Sequence, residues 1–98
     1  MTTPLFPMRP KFSLGQTVAT PGALQALATA GQSPAPFFSR HVQGDWGLVD
    51  AEDAQTNNEA LHNGGRLLSV YETRLGTRLW IITEHDRSVT TILLPDEY

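Results

Sequence analysis

The sequence contains no cysteine. That excludes disulfides, iron–sulfur clusters and cysteine-ligated zinc. It is also short of cations: seven Lys and Arg stand against ten Asp and Glu, for a formal charge of −3. Broad contact with a phosphate backbone depends on clustered cations, so this balance argues against nucleic acid as a partner. The acidity is too mild to imitate DNA. No stretch approaches the roughly 18 apolar residues of a membrane span, so no membrane partner is expected. The first residues lack a charged segment followed by an apolar run, and a cytoplasmic location is the expectation. There is no phosphate-cradling glycine loop, nucleophile elbow, dinucleotide fingerprint or carboxylate pair of the glycosidase kind. His41, His62 and His85 are the only histidines, and their spacing matches no zinc pattern. Asp45, Asp50 or Asp86 could complete a metal site only by a coincidence of folding, so neither a metal nor a cofactor is expected.

What the chain does have is enough apolar matter for one core. Hydrophobic residues make up 40% of 98, against 17% charged, which places it among single globular domains rather than disordered chains. Three prolines in "MTTPLFPMRP" predict an extended or disordered arm over 1–12, its Leu5, Phe6 and Met8 free to lie on the domain or on a partner. A single domain is expected over 13–98. "FSLGQTVA" is briefly strand-like, with Gly15 a bulge or turn.

Thr20-Pro21 opens a helix that stops at Gly31, with Leu24, Leu27 and Ala28 on one face. Ser33-Pro34 opens a second, ending before Gly44, in which Phe37 stacks on His41 and Phe38 on Val42. Asp50 can cap a third, with Glu52 and Asp53 in its first turn and Asn63-Gly64-Gly65 at its end. Asn57 and Asn58 sit mid-helix, either exposed or fastened to a neighbouring backbone. The rhythm then changes from 3.6 to 2. "RLLSVYETR", "TRLWIIT" and "SVTTILLP" read as strands, joined near Leu75-Gly76 and near Glu84–Arg87. Their apolar stripes are Leu68/Val70, Trp80/Ile82 and Ile92/Leu94. The predicted fold is α+β: two or three short N-terminal helices packed over one face of a C-terminal antiparallel meander of three or four strands. Its edges invite self-pairing into a homodimer.

Four groups of residues could carry function. His41 with Asp45 has the composition of an acid–base pair, although His41 lies on a half-apolar helix face and Asp45 can close the following turn. Trp46, between Gly44 and Gly47 in "SRHVQGDWG", is either a recognition anchor or a plug between loop and core, and the plug is the stronger reading. "TEHDRSVTT" is the richest polar cluster: Glu84, His85, Asp86, Arg87 and Ser88 form a hairpin tip flanked by Thr83, Thr90 and Thr91. Arginine beside hydroxyls can hold a phosphate, and a turn between strands is equally content with these residues. A recognition helix for DNA is the weakest reading, since the second helix offers only Arg40.

The blocks "VATPGALQAL", "RHVQGDWG" and "WIITEHDRSVTTILLPDEY" resemble a family of small bacterial proteins carried on plasmids, phages and other mobile elements. The resemblance implies a cytoplasmic bacterial setting in which small proteins act on host defence or on the element's upkeep. More loosely, helices before an antiparallel sheet resemble the barnase-like ribonucleases. That likeness implies His41 as acid or base, Arg87 as phosphate holder, and Ser88 or Thr90 as auxiliaries. The expectation is therefore a non-enzymatic interaction protein, an inhibitor or accessory factor that docks on a bacterial protein complex. Trp46, Asp45, His85 and Arg87 are its candidate binding residues, and a small ribonuclease is the alternative.

Overall fold

Thr20 caps the first helix by accepting the Ala23 N–H on its hydroxyl oxygen. The computed structural model describes residues 9–98, so Leu5, Phe6 and Met8 of the arm lie outside the described residues. In chain order there follow β1 (Gln16–Ala19), α1 (Pro21–Thr29), α2 (Ala35–Val42), α3 (Ala51–Asn63), β2 (Leu67–Glu72), β3 (Arg78–Thr83), β4 (Val89–Leu93) and a 3₁₀ turn (Pro95–Glu97). The α+β class is as expected.

The sheet is not a pure meander. β2, β3 and β4 pair antiparallel, but β1 joins as a fourth strand parallel to β4, giving the order β1-β4-β3-β2. The reason lies at Gly15 and Thr20. Gly15 adopts φ +62° so close to the next strand that a Cβ would sit 2.3 Å from the Ser88 carbonyl oxygen. Thr20 N–H donates to the Ile92 carbonyl at 3.0 Å. Between these points the brief strand is held along β4, and its far end feeds directly into α1. Residues 11 and 12 also belong to the domain rather than to the arm. Lys11 N–H donates to the Val42 carbonyl, and the Phe12 ring stacks on Trp46 at 6.2 Å.

The three helices cover one face of the sheet. One buried cluster gathers Ala23, Leu27, Phe37, Tyr71, Leu79, Ile81 and Ile92; a second gathers Trp46, Ala60 and Leu67. Each fully buried Leu or Ile contributes about 2 kcal/mol of hydrophobic stabilisation. Two expected stripes are corrected. In α1 the buried residues are Ala23 and Leu27, one turn apart, while Leu24 is 48% exposed and Ala28 also faces outward. In β2 the buried residues are Leu67, Ser69 and Tyr71; Leu68 and Val70 point to the opposite face, with Trp80 and Ile82 opposite them in register. A one-residue slip of parity exchanges the faces of a strand. It was hidden because both faces of β2 and β3 carry large apolar side chains.

The outer edge of β2 is occupied. The Asn57 side chain accepts the Leu68 N–H at 3.1 Å and donates to the Leu68 carbonyl at 2.8 Å. Val70 N–H donates to the Trp46 carbonyl, and Leu48 N–H to the Val70 carbonyl. Asn57, mid-helix and buried, thus stands in for a neighbouring strand. Any self-pairing through a sheet edge would have to use β1, whose residues are mostly exposed.

Candidate functional site

The polar residues singled out in the sequence divide into a buried relay, a loop clasp and a surface pair. His41 is fully buried on α2. Its Nδ1 lies 2.5 Å from Ser69 Oγ on β2, and its Nε2 lies 2.9 Å from Thr83 Oγ1 on β3. Thr83 Oγ1 is 2.7 Å from Thr90 Oγ1 on β4, and Thr90 donates to the Leu14 carbonyl, also at 2.7 Å. The carbonyl at the end can only accept, and this sets the direction of the whole series. Thr90 gives its proton to Leu14, Thr83 donates to Thr90, His41 Nε2–H donates to Thr83, and Ser69 donates to Nδ1. His41 is therefore the neutral Nε2–H tautomer. Burial, with the nearby Arg87 charge adding to it, lowers its pKa to about 4. The rings of Phe12 and Trp46 meet it edge-on at 5.2 and 5.6 Å and close it from water.

Arg87 stands in the left-handed region at φ +61°. Its guanidinium donates to the carbonyls of Gly65 at 2.6 Å, Ala60 at 2.9 Å and Glu84 at 3.2 Å, and it lies over the Phe12 ring. A cation at the carbonyl end of α3 suits the helix dipole, so this residue clasps α3 to the β3–β4 turn. Its fork of donors is engaged with backbone and not turned to a ligand. Arg87→Ala is expected to cost about 2 kcal/mol in urea unfolding, and Arg87→Gly about 1 kcal/mol less than that, because glycine relieves the left-handed strain. Equal losses in the two variants would show that the backbone there is unstrained.

Asp45 does not pair with His41. It accepts Arg40 Nε at 2.7 Å and the Gly47 N–H at 3.1 Å, and the hydrogen bond from Arg40 holds its carboxyl below the ordinary range. Arg40 Cζ also lies over the Tyr71 ring, 4.4 Å from its centroid, and the Tyr71 hydroxyl donates to the Asp45 carbonyl. Burial raises the Tyr71 pKa to about 12. Trp46 is 6% exposed, and its indole N–H donates to Asn58 Oδ1 at 3.0 Å. It fills the seam between the α2–α3 connection and the sheet, the plug of the two readings. His85 is exposed at the hairpin tip, while Asp86 accepts the Ser88 N–H and shapes the turn. Thr83 and Thr90 are interior, and Ser88 is exposed. The structure therefore brings His41, Thr83 and Thr90 together, and it places Asp45, His85 and Ser88 elsewhere on the surface. Among the described residues no three His, Asp or Glu side chains lie close enough to hold a metal ion, and no helix is long and apolar enough to cross a membrane.

The surface that the sequence reading missed is the other face of the sheet. Leu68 and Val70 of β2, Trp80 and Ile82 of β3 and Thr91 and Leu93 of β4 share it in register; Ile82 and Leu93 are buried there and the other four half-buried. Among the described residues no α-helix packs there. The C-terminal residues do: Tyr98 meets Trp80 at 5.7 Å, and Arg66 donates to the Tyr98 hydroxyl at 2.9 Å while lying beside Glu84. Arg66, Leu68, Trp80, Ile82 and Tyr98 line a groove of about 300 Å³ on this face. The available signal was "LWII" in β3, an apolar run without the polar alternation of a strand that has one face in water. Comparison with protein-family models, with curated proteins and with solved structures finds no match.

Proposed function

We propose that the chain is a non-enzymatic interaction protein that docks on a larger bacterial protein through the face of its sheet opposite the helices. One observation carries this reading: an apolar plane in which half-buried Leu68, Val70 and Trp80 surround buried Ile82 and Leu93, with an aromatic at its centre and no α-helix over it among the described residues. Its rim is charged, with Glu72 and Arg78 opposite each other in register and Arg66 beside Glu84. An apolar middle with an aromatic anchor and a polar border is the anatomy of a protein interface. The occupant is another protein surface rather than a small ligand, because the apolar residues spread across three strands instead of converging in an enclosed cavity. The mobile-element setting, the cytoplasmic location and an inhibitory or accessory role in host defence belong to the same proposal and rest on the sequence resemblance.

The ribonuclease alternative finds no support in this geometry. An acid–base histidine must reach substrate, and His41 has both ring nitrogens engaged and no exposed surface.

The test is capture from bacterial lysate with the native chain and with Trp80→Ala side by side. The expected result is one stoichiometric partner whose affinity falls about 30-fold in the variant, the usual effect of truncating a central aromatic anchor. Equal capture by both chains, or no partner in any lysate, defeats the reading.

A further inference from the structure

A second cavity lies away from that sheet face, where the α1–α2 connection meets the β2–β3 turn. Gly31, Gln32, Ser33, Pro36, Phe37, Arg40 and Arg74 line a groove of about 410 Å³ there. No carboxylate is among them. Its polar side chains keep donors that the rest of the described chain does not use. Arg40 is immobilised through Nε on Asp45 and by its stack on Tyr71, while its two terminal nitrogens have no hydrogen-bond partner among the described residues. Asp45's hydrogen bond also pushes the Arg40 pKa up, so the guanidinium stays charged. Gln32 Oε1 accepts the Arg74 N–H at 2.9 Å, which ties the two walls together and leaves the Gln32 amide nitrogen unpaired among the described residues. Arg74 has no acidic partner among the described residues, and residues 1–8 contain no Asp or Glu. Ser33 was expected to cap α2. Pro34 occupies that position without any side-chain cap bond, so the Ser33 hydroxyl is also unused.

We propose that this groove binds an organic carboxylate. Four donor-bearing side chains converge on one cavity in a chain that is acidic overall, and Pro36 with buried Phe37 gives the cavity an apolar wall. Carboxylate is favoured over a phosphate dianion by the count of charges. Arg40 and Arg74 supply two positive charges and Asp45 cancels one, so a single negative charge balances the site. Arginine's fork of N–H groups matches the two oxygens of a carboxylate. The carboxylate can come from a free small acid or from an acidic segment of a protein, and both present the same group to Arg40 and Arg74.

Amide chemical shifts of the full chain, titrated separately with sodium propionate and with a blocked dipeptide carrying one glutamate, test the proposal. Each titration is set against sodium chloride at matched ionic strength. The expected result is a saturable shift at Gln32, Ser33, Arg40 and Arg74, with affinity falling about tenfold or more in Arg74→Gln. Tighter binding of propionate assigns a free acid, and tighter binding of the dipeptide assigns a protein segment. Arg74 and Ser33 are exposed and Arg74 makes no side-chain hydrogen bond among the described residues, so Arg74→Gln and Ser33→Ala leave the fold intact. Shifts equal to those from chloride, or an unchanged affinity in Arg74→Gln, overturn the proposal. Trp80→Ala leaves this binding untouched, so the two surfaces fail or stand separately.

Discussion

His41→Ala is expected to cost about 4 kcal/mol in urea unfolding, most of the stability of a domain this size. Removing the ring opens a cavity between Phe12, Trp46 and the sheet, and it strips Ser69 and Thr83 of their partner in the interior. A buried hydroxyl left without a partner costs about 1–3 kcal/mol on top of the lost packing. The same residue gives the native chain a pH dependence whose sign follows from burial. The imidazole has a pKa of about 6.5 when unfolded and about 4 when folded, so between those values the unfolded chain binds one more proton. Its contribution is therefore complete above about pH 6.5 and is lost as the pH falls toward about 4, a change of about 3 kcal/mol. Exposed carboxyls with depressed values, such as Asp45 and Asp86, weaken the fold only further down. His41→Gln keeps one acceptor and one donor for Ser69 and Thr83, so it should unfold more easily than the native chain at neutral pH yet lose this window. A urea midpoint that is flat from about pH 6.5 to about pH 4 in the native chain would mean that His41 is hydrated, and the relay with it.

The relay also explains where the sequence was legible and where it was not. Helix boundaries were readable because their chemistry is local: Thr20 and Asp50 cap as their residue types predict, and Gly64 ends α3 in the left-handed region. The change to a two-residue rhythm after residue 65 correctly gave three strands. The orientation of those strands was not readable, because orientation is usually judged by which parity is polar. Ser69, Thr83 and Thr90 are polar and look outward by that rule. They face the helices because a buried histidine from α2 needs partners there. With them turned inward, Leu68, Val70, Trp80 and Ile82 necessarily turn outward. The parallel placement of β1 was equally hidden, since it depends on Gly15 approaching Ser88, more than 70 residues along the chain. From the sequence Arg87 is either a phosphate holder or an ordinary turn residue. Nothing local shows that the carbonyls of Ala60 and Gly65 lie within its reach.

Gly47→Ala should cost about 3 kcal/mol, because Gly47 is where the connection "GDWG" touches the sheet. Gly47 has φ +72°, a conformation that costs an L residue about 1–2 kcal/mol. Position 31 offers a clean comparison. Gly31 has φ +68°, but a Cβ there meets nothing within 4 Å. At Gly47 the same atom would lie 2.1 Å from the Val70 carbonyl oxygen and 2.6 Å from Tyr71 Cδ1. Neither neighbour can move freely: Val70 is fixed by its pairing with Trp80, and Tyr71 by Arg40 on its face and Asp45 at its hydroxyl. The connection must lift instead, and lifting breaks the bonds that Leu48 N–H and the Trp46 carbonyl make with Val70, at about 1 kcal/mol each. Gly31→Ala should therefore show the conformational cost alone, and Gly47→Ala that cost plus the two bonds. The Trp46 indole would report the difference, its fluorescence moving toward the hydrated value in Gly47→Ala as its bond to Asn58 loosens. If the two alanine variants unfold at the same urea concentration, the connection is not clamped against β2, and the closure of that sheet edge has to be attributed to Asn57 alone.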